Sequence, residues 1–123
     1  MTHDIIEFPQ DAPVTGARRL ADLPNRVVAG DPHHVTRMRH QSPDGTLMAG
    51  TWTSTPGRWH AFSDRDEFCF IVSGHVELIS EDGRVRSFRA GESFLIPNGF
   101  RGDWHVIEET TKHFVIRDYT AGA

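Results

Sequence analysis

From residue 42 onward, apolar and polar positions alternate in short runs, each closed by a cluster of Gly, Pro, Asn, Asp or Ser. Pro43-Asp44-Gly45, Thr55-Pro56-Gly57, Ser63-Asp64-Arg65-Asp66, Arg89-Ala90-Gly91-Glu92 and Pro97-Asn98-Gly99 read as turns. Glu81-Asp82-Gly83 carries the Asp-Gly pair of a tight hairpin. The runs between them, 46–53, 58–62, 67–72, 75–80, 84–88, 93–96, 102–108 and 113–117, have the aromatic and β-branched content of strands. Ser73-Gly74 reads as the close of the 67–72 strand. Short strands punctuated at this spacing predict an all-β sandwich or barrel.

The first 44 residues lack that regularity. Pro9, Pro13, Pro24 and Pro32 interrupt them, which predicts an irregular N-terminal segment (1–44) packing on a β-domain (45–123). Within it, 15–23 could form a helical turn or two ended by Pro24, and 26–29 an edge strand before Gly30-Asp31-Pro32. The length suits one folding domain with a real core.

The candidate chemistry lies in 59–74. Strand alternation can send His60 and Glu67 to the same side as Phe62, Cys69 and Ile71, toward the interior. A buried carboxylate needs a partner or a raised pKa, and Lys112 or Arg58 could supply an ion pair. Glu67 and His60 therefore read either as a structural network or as ligand-binding or acid–base groups. Cys69 is the single cysteine, so no intramolecular disulfide can form, and it is expected to pack as a small hydrophobe.

This stretch resembles the first motif of the cupins, which reads Gly, five residues, His-x-His, three or four residues, Glu, six residues, Gly. His60, Glu67 and Gly74 match it, whereas Phe62 stands at the second histidine and Ser54 at the opening glycine. Gly91, Pro97 and Gly99 match the second motif, with Gly102 in place of its histidine and Val106 in place of its asparagine. The strings Ala49-Gly50-Thr51-Trp52, Asp66-Glu67-Phe68, Gly91-Glu92-Ser93-Phe94, Pro97-Asn98-Gly99-Phe100 and Gly102-Asp103-Trp104 resemble the ureidoglycine-aminohydrolase-like cupins. The resemblance spans roughly 45–116. It implies a small cupin β-barrel, a double-stranded β-helix with jelly-roll topology, carrying an irregular N-terminal lead-in.

What it implies about function is set by the departures. Cupin sites bind a divalent transition metal through three imidazoles and a carboxylate, and only His60 and Glu67 remain at matching positions. Two protein ligands fall short of the usual three, so no metal or other cofactor is expected. The resemblance implies instead a small-molecule pocket in the barrel, with His60 and Glu67 as polar anchors and Phe62, Phe100 and Trp104 as walls, Trp59 and Phe70 lying outside. The alternative is a metal-dependent hydrolase, lyase or isomerase acting on a small nitrogenous or sugar-derived metabolite. There His60 and Glu67 would hold Mn, Fe, Ni or Zn with a third ligand from His105, from His33, His34 or His40 in the lead-in, or from a partner chain. His105 and His113 have outward parity, and His3 and His75 read as surface residues. Whether the chain is an enzyme is left open, and cupins of this size imply a homodimer.

Charge narrows the partners. A formal charge of −4 with Lys and Arg spread along the chain gives no basic surface for nucleic acid. No apolar run approaches the length of a membrane span, and the first residues have no leader pattern, so a cytoplasmic location is expected.

Overall fold

The computed structural model describes residues 3–120. Nine strands run in chain order: β1 (Gly16–Arg19), β2 (Val27–Gly30), β3 (His33–Gln41), β4 (Leu47–Ser54), β5 (Gly57–Phe62), β6 (Arg65–Ser80), β7 (Val85–Arg89), β8 (Ser93–Ile96) and β9 (Arg101–Asp118). The one helical element among the described residues is a 3-10 turn at Leu20–Asp22. Among the described residues no helix is long and apolar enough to cross a membrane.

The sheet is built on two long strands. β9 pairs along one edge with β5 through its first half and with β4 through its second. Its other edge pairs antiparallel with β6 along nearly the whole length. β6 in turn pairs with β8 and then with β7. On the far side the order runs β1-β3-β4-β9-β5-β2, and the whole sheet curls on itself as a jelly-roll barrel.

Two breaks expected from the sequence are absent. Segments 67–72 and 75–80 are one strand, and so are 102–108 and 113–117. Ser73-Gly74 is a bulge inside β6, where register slips against β9 between Ile71 and Val76. Gly74 has φ +100°, and a Cβ there would lie 2.4 Å from the Glu109 carbonyl oxygen. Glycine thus lets the long strand bend without ending. In β9 the polar run Glu108-Glu109-Thr110-Thr111 looks like a turn in sequence. Thr110 is nevertheless fully buried and β-branched, and it pairs with Ser54 in the ladder to β4 while the β6 register slips past it.

The lead-in is also more ordered than expected. The edge strand near 26–29 forms as β2 against β5, but 15–23 gives β1 and a single 3-10 turn rather than a longer helix. The irregular reading of the rest is corrected by β3, a nine-residue strand paired with β4 on one side and β1 on the other. Its His- and Arg-rich composition hides a strand with both faces half-covered. The outer face is roofed by preceding chain, with Arg37 Nε donating to the Ala12 carbonyl at 2.8 Å and Arg39 Nε to that of Glu7 at 2.8 Å.

The core is Leu20, Trp59, Cys69, Ile71, Val76, Leu78, Ile96, Trp104 and Val106, contributed by β5, β6, β8, β9 and the 3-10 turn. Leu20, Trp59 and Trp104 of this core also border a cavity in the barrel.

Candidate functional site

The barrel holds a cavity of about 440 Å³, within the range of small-molecule sites. Strand alternation decides who lines it. β5 places Gly57 and Trp59 inward, and β9 places Trp104, Val106, Lys112, Phe114 and Ile116 inward. Trp59 and Trp104 are directly opposed in the β5–β9 ladder and stack at 6.2 Å with an interplanar angle of 5°. Trp52 of β4 closes the group, with centroids 5.6 Å from Trp104 and 6.2 Å from Trp59. All three tryptophans of the chain therefore wall one cavity.

Its polar centre is a buried ion pair. Lys112 Nζ donates to Glu67 Oε2 at 2.7 Å, and the ammonium lies 4.4 Å and 4.2 Å from the ring centroids of Trp52 and Trp104. The Cys69 thiol donates to the same carboxylate oxygen at 3.4 Å. Burial opposes both charges, but each partner outweighs it: Glu67 is held below the usual carboxylate pKa and Lys112 above that of a free amine. Two indole faces add cation–π attraction in a desolvated place. Burial pushes the Cys69 thiol up to about 12, so it stays protonated.

His34 of β3 completes the wall, its ring 4.9 Å from Trp52 and 4.8 Å from Trp59. Its Nε2 is buried with no hydrogen-bond partner. Burial, then the charges of Lys112, Arg18, Arg26 and His33, push its pKa down to about 4, so the ring is neutral near pH 7. Arg18, Arg26 and Arg65 line the same space.

Of the five residues expected in the pocket, Glu67 and Trp104 line this cavity and three do not. Trp59, expected outside, is the inward residue of β5 at 4% exposure, which turns His60 and Phe62 out. The His60 side chain is 57% exposed, and its Nδ1 lies 2.9 Å from Asp103 Oδ1. Asp103 Oδ2 also accepts from Arg58 Nε at 2.8 Å, so Arg58 serves Asp103 while Lys112 serves Glu67. Phe62 is 54% exposed and carries the Arg26 guanidinium 4.7 Å from its ring centroid. Phe100 packs partly buried against the core. A larger apolar residue one position before the histidine was the available signal for this phase, since bulk decides which face of a half-buried strand turns in.

A metal does not fit this donor set. His60 and Glu67 line different cavities, on the outer groove with Asp103 and in the barrel respectively. Among the described residues no group of three or more His, Cys, Asp or Glu side chains converges. His105 lies 3.5 Å from Glu77, and His113 Nδ1 lies 3.0 Å from Thr51 Oγ1, neither beside Glu67. At Gly102, where the cupin motif has its second-motif histidine, a Cβ would fall 2.1 Å from the Ile79 carbonyl oxygen. The backbone is packed too closely there for any side chain.

Known proteins agree on the fold. An unnamed-function protein of the DUF861 family from Pseudomonas syringae pv. tomato superposes with a TM-score of 0.76 at 19% identity, over 89% of this chain and 46% of its own, so the present chain spans about half that protein's length. The EutQ protein of Clostridium difficile gives a TM-score of 0.63 at 19% identity over 71% of this chain and 69% of its own. A DUF861-family protein from Thermotoga maritima is 31% identical over 52% of this chain and 73% of its own, with a TM-score of 0.51. No curated protein sequence matches the chain. Residues 41–114 match the family of EutQ-like cupin domains, which covers the strands from the end of β3 to most of β9 and every core strand between them; the chain belongs to that family.

Proposed function

We propose that the protein is a small-molecule-binding cupin whose ligand occupies the tryptophan-walled cavity without a protein-held metal. The observation that supports this most directly is the placement of Lys112–Glu67 beside the unpartnered His34 Nε2 on an otherwise apolar aromatic wall. A few fixed polar groups on an apolar wall are what orient a small ligand. Lys112 stays charged, Glu67 stays ionised, and His34 stays neutral with one ring nitrogen for a hydrogen bond. The set can bind and orient; it offers no activated nucleophile, since Cys69 is protonated and buried.

The test is a metabolite screen read by intrinsic fluorescence. Trp52, Trp59 and Trp104 all report on the same space. A ligand should change the emission and raise the melting temperature together, and Trp52→Ala should abolish both. A screen in which compounds shift melting but leave the emission of all three indoles untouched would move the binding site elsewhere.

A further inference from the structure

The charges around the cavity are not those of the chain as a whole. The formal charge is −4, yet the cavity is lined by Arg18, Arg26, Arg65 and Lys112 against the single carboxylate of Glu67. That carboxylate is already committed to Lys112. Three further arginines line the same small space.

Three arginines outside the cavity do find acids. Arg19 pairs with Asp31 at 2.9 Å, Arg58 with Asp103 at 2.8 Å and Arg101 with Asp64 at 3.4 Å. Among the described residues, Arg18, Arg26 and Arg65 have no carboxylate within ion-pair distance, although Arg18 adjoins the acid-paired Arg19 and Arg65 follows Asp64, which pairs with Arg101 instead. Arg26 is instead fixed by neutral groups: its Nε donates to the His60 carbonyl at 2.7 Å, and its plane lies over Phe62. Burial and the neighbouring Arg18 charge pull its guanidinium below the usual value, the mark of cations crowded without compensation. The same charges bear on His34, whose buried Nε2 faces no protein partner. Like charges gathered around a cavity cost stability unless an anion enters among them.

We infer that the cavity's ligand is a compact organic anion, its carboxylate or phosphate group held by Arg18, Arg26 and Arg65 and its apolar body laid against Trp52, Trp59 and Trp104. This rests on the cavity being the binding site and adds the class of molecule that it takes. Guanidinium forks match the geometry of either oxyanion. A neutral His34 can hydrogen-bond a second polar group of the ligand without adding charge.

The experiment sets small carboxylates and phosphate monoesters, benzoate and phenyl phosphate among them, each beside its neutral amide or alcohol. Binding is read by tryptophan fluorescence at low and high salt, on the full chain and on Arg18→Gln/Arg65→Gln. Both arginines are exposed, so the variant is expected to fold. The expected result is that acids bind, their neutral partners bind roughly tenfold or more weakly, and the double variant loses a similar factor. Comparing benzoate with phenyl phosphate then identifies the oxyanion. Equal affinity for acid and amide, or unchanged acid binding in the variant, overturns the anion assignment and leaves the cavity as the binding site. A panel in which neither acids nor neutral compounds touch the indole emission overturns both.

Discussion

The Lys112 ammonium stands 2.7 Å from the Glu67 carboxylate, clamped between the indole rings of Trp52 and Trp104. Lys112 is directly opposite Trp52 in the β4–β9 ladder, so the clamp is set by strand register rather than by loops. Removing one charge leaves the other buried without compensation. Lys112→Met should therefore cost about 3–5 kcal/mol in chemical denaturation, while Lys112→Met/Glu67→Leu should recover most of that loss. A double variant no more stable than the single one would show that the pair, rather than an orphaned carboxylate, carries the stability.

His34 gives the protein a pH response of known sign. Its folded pKa is pushed down to about 4 from an ordinary 6.5, so the unfolded chain binds the proton first as pH falls. Melting temperature should fall between pH 6.5 and 4 as the unfolded state takes up that proton. Burial first, and then the cations facing it, Lys112, Arg18, Arg26 and His33, keep the ring neutral through most of this window. Glu67 acts in the same direction but lower, its contribution being lost only below the usual carboxylate value. His34→Phe should flatten the melting curve over the upper part of the range. An unchanged slope would place the titrating group elsewhere.

Cys69 is fully buried with its thiol pushed up to about 12. Ellman's reagent at pH 8 should leave the native protein unmodified and titrate one thiol after denaturation. Rapid native labelling would mean that β6 opens locally.

Gly102 cannot be turned back into a metal ligand. Because its Cβ would meet the Ile79 carbonyl oxygen at 2.1 Å, Gly102→Ala alone should lower stability by several kcal/mol. Gly102→His should fold poorly and bind no nickel or zinc in dialysis. A stable, metal-loaded Gly102→His protein would refute this reading of the backbone.

His60→Ala removes a side chain that points to the outer groove, while the backbone carbonyl that holds Arg26 remains. Ligand affinity in the barrel should change less than twofold. Phe62→Ala should have the larger effect, because it removes the ring beneath the Arg26 guanidinium.

The sequence carried the fold further than the site. Turn chemistry at Asp82-Gly83 and alternation in β4, β7 and β8 located most strands, and spaced glycines and Pro97 pointed to the barrel. β3 escaped because His33 through His40 reads as a polar loop when each face of the strand is half-covered by something distant in sequence. The site failed on parity. Period-two patterning says that neighbours face opposite ways but not which of them faces in, and the motif histidine suggested His60 when Trp59 held the inward place. Lys112 was legible only as a partner for Glu67, since no local pattern announces that a lysine eight positions after Trp104 on an unbroken strand shares its face. The arginine cluster was invisible to any linear reading, because Arg18, Arg26 and Arg65 meet only after the sheet curls.

β1 and β2 are free borders of that curled sheet, as β7 and β8 are across from them, and at four residues each both belong to the segment before the matched family region. Arg18 sits on one of them and Arg26 just before the other. Two of the three arginines proposed to hold an anion therefore ride on short border backbone, whereas Arg65 and the ion pair stand on the long strands β6 and β9. Loosening a border of four peptide units costs far less than disturbing the β6–β9 seam, and a proposed ligand would enter by that side. A different lead-in on the same barrel would in this way alter the charge at the cavity while leaving the Lys112–Glu67 pair on its two long strands in place.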